Sequence, residues 1–83
     1  MTNGEKEFLK LLENNGGEYN SNDNDLAFTL GISIYSLAKY KKRLKDNGYI
    51  KTQLKYVDGK LRNFYKLIKP YKPEDDVVKV VWD

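Results

Sequence analysis

The side chains that most often carry covalent or proton-transfer chemistry are missing from this sequence. Its 83 residues include no Cys and no His. That removes the thiol nucleophile, the disulfide, the thiolate metal ligand and the commonest general base. Asp, Glu, Lys and Tyr remain, without a Gly-rich phosphate loop and without paired carboxylates outside short acidic runs. The expectation is a protein that is not an enzyme and uses neither cofactor nor metal. One run, Asn22-Asp23-Asn24-Asp25, has the oxygen ligands that calcium accepts. A calcium loop also needs a Gly at its sharp turn and a distal Glu, and neither follows at the right spacing. Helix capping is the reading these four residues favour.

What the chain does hold is a segregated set of cations. Its net charge is only +3. Residues 1–38 carry two Lys against six carboxylates, a balance of −4. Residues 39–69 carry eleven Lys or Arg against Asp46 and Asp58, a balance of +9. Residues 70–83 return to −2. Such asymmetry points to a polyanionic partner, and a merely solvated basic face is the alternative.

The elements that must position these cations can be read in order. Asn3 caps a first helix, whose apolar face is Phe8, Leu9, Leu11 and Leu12, with a dimer contact as the alternative use of that face. Asn14-Asn15-Gly16-Gly17 ends it. Glu18-Tyr19-Asn20 forms a short strand against the edge of a later hairpin. Asn22 caps a second helix with Asp25 three residues on, a shortened capping box, and Leu26, Ala27 and Leu30 give that helix its buried face. Phe28 falls off the stripe, either packing on the first helix or partly exposed.

Gly31 follows Leu30, where a helix stops with a left-handed residue, and Ser33 caps the next helix, residues 33–46. Two helices joined through such a turn make a helix-turn-helix, and in that motif the second helix enters the DNA major groove. Leu37 and Leu44 of this helix face the core. The opposite face holds Tyr35, Ser36, Lys39, Lys42 and Arg43. Because the early part of such a helix reaches base edges, Tyr35, Ser36 and Lys39 are the candidate base-facing residues, and the cap Ser33 is a further candidate DNA-binding residue. For Tyr35 the alternative is plain packing. Lys42 and Arg43 are candidate phosphate contacts.

Gly48 or Asn47 closes the helix, and residues 49–57 then alternate with period two. Asp58-Gly59 is a two-residue hairpin turn, so Val57 faces Lys60 and the register follows: Tyr56 with Leu61, Leu54 with Asn63, Thr52 with Tyr65 and Ile50 with Leu67 on an inner face. On the outer face Lys51 meets Lys66 and Lys55 meets Arg62. Like charges placed opposite one another cost stability, unless an anion neutralises them. Lys55, Lys60 and Arg62 near the tip are therefore candidates for DNA phosphate or the minor groove. Protection of an edge strand by Lys is the alternative.

Leu26-Ala27, Leu30-Gly31-Ile32-Ser33, Leu37, Leu44 and Gly48-Tyr49-Ile50, with a hairpin directly after a basic helix, resemble the winged helix-turn-helix family of DNA-binding domains. The likeness spans residues 5–69. It is to the small versions in bacterial and viral transcription regulators and in replication initiators. It implies an α+β fold, a three-helix winged helix-turn-helix with a C-terminal two-stranded β-hairpin wing, in residues 1–69. It implies sequence-specific binding of double-stranded DNA, most simply as a repressor and as a homodimer on a pseudo-palindromic site. Replication initiation or partition for a phage or plasmid uses the same scaffold. So does a protein-binding module that inhibits a nuclease or binds a host factor. Position 41 is usually apolar in the family and is Lys here, so Tyr40 is expected to take over its packing.

Residues 70–83 read as a proline-stiffened exit followed by acidic Glu74-Asp75-Asp76 and apolar Val77-Val78-Lys79-Val80-Val81-Trp82. This end could add a strand to its own domain, join a second subunit or dock a protein partner, with Trp82 as the anchor. No apolar run approaches the ~18 residues a membrane span needs, so a cytoplasmic protein without a membrane partner is expected.

Overall fold

The structure is a computed structural model that describes residues 1–71 of the chain. The expectations for residues 72–83 lie outside it. Three helices pack on one side of a three-stranded antiparallel sheet: α1 (Asn3–Asn14), β1 (Glu18–Ser21), α2 (Asp23–Leu30), α3 (Ile34–Asp46), β2 (Ile50–Val57) and β3 (Lys60–Leu67). The class is α+β. The sheet order β1-β3-β2 makes the return strand of the hairpin the central one.

Local chemistry accounts for most boundaries. Thr2, not Asn3, caps α1: its Oγ1 accepts from the Glu5 N–H, which leaves Asn3 as the first helical residue. Asn22 caps α2 by accepting from the Asp25 N–H at 2.8 Å. Its Nδ2 also donates to the Asp25 carboxylate at 2.9 Å, so the short Asp reaches the cap's side chain instead of its backbone. Asn22 and Asp25 of the acidic run are thus engaged in capping. Gly31 ends α2 at φ 67°, and Gly48 follows α3 at φ 76°, positions where a side chain would be strained.

The core gathers Phe8, Leu9 and Leu12 of α1, Leu26 and Ala27 of α2, Leu37 and Leu44 of α3, and Tyr49, Ile50 and Tyr65 of the hairpin's base. Phe8 meets Tyr65 edge-on, with ring centroids 5.3 Å apart. The hairpin register is the expected one at every position from Ile50↔Leu67 to Val57↔Lys60.

β1 pairs with the return strand of the hairpin as expected, from Glu18↔Lys66 to Ser21↔Asn63, so the hairpin lies within a three-stranded sheet. Two expectations need correction. The expected inner face is buried only at its base, and Leu54, Tyr56 and Leu61 stand exposed because the body of the domain ends before the tip. Lys41 is not displaced by Tyr40. It stays half-buried, its Nζ 3.2 Å from Asp23 Oδ1, and Tyr40 packs instead against Gly4 of α1. Phe28, left open by its sequence position, is almost fully exposed.

Candidate nucleic-acid interface

The outer surface of α3 is built from its cap outward. Ser33 Oγ accepts from the Ser36 N–H and donates to Ser36 Oγ, both at 3.1 Å. The two serines hold the first turn and each other. That leaves them fewer free bonds for a partner than their exposed positions imply. Tyr35, Lys39 and Lys42 follow at spacings of four and three, which places them in one stripe. All three are exposed, Tyr35 at 89%. Burial opposite them, at Leu37 and Leu44, turns this stripe to solvent.

Arg43 is placed differently. Its Nη1 lies 3.3 Å from Oε1 of Glu5, a carboxylate only 5% exposed in the first turn of α1. Thr2 Oγ1 donates to the same oxygen at 3.1 Å. Arg43 therefore leans toward α1 and anchors a buried charge, while Lys42 next to it is exposed. The two had read as equivalent phosphate contacts, and the difference lies in Glu5, 38 residues away along the chain.

The second cluster is the outer face of the sheet. Lys51, Lys55, Arg62 and Lys66 lie there with Phe64. Lys60 is on the same face beside the turn. Lys55 Nζ sits 5.1 Å from the centre of the Phe64 ring, a cation–π contact that holds the ammonium on the surface. Asn20 of β1 accepts from Arg62 Nη1 at 2.6 Å. Glu18 stands opposite Lys66 in register, so the Lys51–Lys66 pair has a carboxylate beside it that a two-stranded hairpin lacks. A depression of about 560 Å³ opens on this side, lined among others by Lys51, Lys55, Phe64 and Lys66. Asn20 and Phe64 had not been singled out as partners of these cations, and no local pattern marks them: Asn20 is 42 residues from Arg62.

Between the two clusters, Asp23 ties three elements together. Its carboxylate accepts from Lys41 Nζ of α3, from Asn63 Nδ2 at 2.8 Å and from the Tyr65 hydroxyl at 2.9 Å, the last two on β3. Lys41 also lies over the Tyr65 ring at 5.3 Å. Burial raises the Tyr65 hydroxyl pKa well above its ordinary value, and the Asp23 hydrogen bond and charge add to the shift. This network fixes the hairpin base against α2 and α3. No helix among the described residues is long and apolar enough to cross a membrane.

In comparisons with known proteins, no family model, no curated protein and no solved structure matches the chain.

Proposed function

We propose that this chain is a winged helix-turn-helix protein that binds double-stranded DNA without catalysing a reaction, most simply as a cytoplasmic transcription repressor. One observation supports this reading above the rest. Lys39 and Lys42 on α3, and Lys51, Lys55, Lys60, Arg62 and Lys66 on the outer face of the hairpin, form no ion pair among the described residues and make two cationic surfaces. In the proposed complex the stripe led by Tyr35 enters the major groove. Tyr35, Ser36 and Lys39 meet base edges, and Lys42 meets phosphate. Lys55, Lys60 and Arg62 lie over the flanking backbone as a wing.

Fluorescence anisotropy of mixed-sequence duplex DNA at low and moderate salt tests the proposal. Binding in the micromolar range that falls steeply with salt is expected. The Lys39→Ala, Lys42→Ala double variant should lower the salt slope by roughly 1 to 2 units. A second reading, a protein-binding module, draws on the exposed Phe28, Ile34 and Tyr35 on either side of the α2–α3 turn. Absence of duplex binding even at low salt would favour it over the first.

A further inference from the structure

The hairpin has a second face that DNA binding does not use. β1 pairs with β3 only from Asn63 to Lys66, so beyond that point the hairpin is a two-stranded ribbon. Leu54, Tyr56 and Leu61 share one side of it and are 56%, 77% and 45% exposed. Tyr56 stands directly opposite Leu61, and Leu54 is two residues away on the same side. A two-stranded ribbon is marginal in water unless its apolar side is covered. No described element of this chain covers it.

The charge pattern selects the occupant. Along its whole length this side carries no charged residue, from Ile50 to Tyr56 on β2 and from Leu61 to Leu67 on β3. Lys51, Lys55, Lys60, Arg62 and Lys66 all lie on the opposite side. An anionic partner is drawn to that opposite side. A second copy of a chain with net charge +3 is repelled there and meets no repulsion on the uncharged strip. A two-fold contact also requires one surface to match itself, which an apolar strip does and a cationic one does not.

We infer that this strip is the docking surface for a second copy of the chain, ribbon against ribbon across a two-fold axis. Tyr56 and Leu61 sit at its centre. The cationic sides of both ribbons then face outward and stay open. The contact stands whether or not the chain binds DNA.

Sedimentation of the full chain tests it, from about 5 to about 500 µM, concentrations that bracket a modest interface. A monomer–dimer equilibrium is expected that does not weaken at high salt. Tyr56→Glu should raise the dimer Kd at least about 10-fold, the loss typical of a central aromatic. A chain that stays monomeric throughout overturns the inference. So does a dimer indifferent to Tyr56→Glu, whose contact must lie elsewhere, residues 74–83 included. Because the chain has no Cys, oxidative cross-linking gives a second measurement. Tyr56→Cys or Leu61→Cys should give a disulfide-linked dimer on oxidation, and Lys55→Cys on the opposite side should not. Failure of both central positions to cross-link, or equal linking at Lys55→Cys, overturns it as well.

Discussion

Lys42 and Arg43 are neighbours with different roles, and the difference is energetic. Glu5 is nearly inaccessible to water, and a buried carboxylate without its donor is left poorly solvated. Arg43 supplies one of its bonds and Thr2 another. Arg43→Ala should therefore lower unfolding stability by about 1–2 kcal/mol, a figure that allows for screening of the half-exposed guanidinium. Lys42→Ala, at an exposed position, should leave stability within about 0.5 kcal/mol of the parent. Urea unfolding of the two variants distinguishes them, and equal losses would show that Glu5 does not depend on Arg43.

At the scale of elements, α3 meets α1 where a Gly leaves room for an aromatic ring. Gly4 lies in the first turn of α1, and a Cβ built there would run into the ring of Tyr40 on α3. Inside a helix, Gly→Ala ordinarily stabilises by up to about 1 kcal/mol. Here the sign should invert, because Tyr40 must move or the helices must part. Thermal unfolding of Gly4→Ala is expected to show a lower midpoint than the parent, and a higher midpoint would mean that the ring yields freely. Gly31 is a different case. A Cβ there meets nothing within 4 Å, so its requirement is the left-handed backbone alone. The caps around it were legible in the sequence because each joins residues three apart. The exposed ribbon was not, since alternation reports which residues share a face and not where the body that covers them ends.

For the whole molecule, the Asp23 network joins α2, α3 and the sheet, and it should give stability an alkaline limit. In the folded chain Tyr65 holds its proton more tightly than an ordinary tyrosine, first because it is buried and then because Asp23 accepts its hydrogen bond and carries negative charge. The unfolded chain loses that proton near pH 10. Since the folded value is the higher of the two, Tyr65's contribution is whole below about pH 10 and declines as pH rises beyond it. The decline is at most about 1.4 kcal/mol per pH unit. Tyr65→Phe should remove that part of the slope while costing about 1 kcal/mol at neutral pH from the lost bond to Asp23. Denaturation midpoints followed from neutral to strongly alkaline pH in both proteins test this. Parallel alkaline slopes would show that other groups set the limit.

The sequence by itself determined what chain geometry governs over a few residues. The Asn22 and Ser33 caps, the left-handed Gly31 and the hairpin register all follow from bonds that close within a turn, and the structure agrees at each. The choice of Thr2 over Asn3 at the first cap is a one-residue shift of the same kind. Tertiary structure alone decided which cations are committed internally. Arg43 finds Glu5 and Lys41 finds Asp23 across separations of 38 and 18 residues. Such pairs exist only once helices and sheet have docked, because burial makes an unpaired charge costly and so selects its partner by position in space. The same docking left the hairpin tip beyond the core. A pattern that reads as one continuous inner face is therefore buried at Ile50 and Tyr65 and open at Leu54, Tyr56 and Leu61.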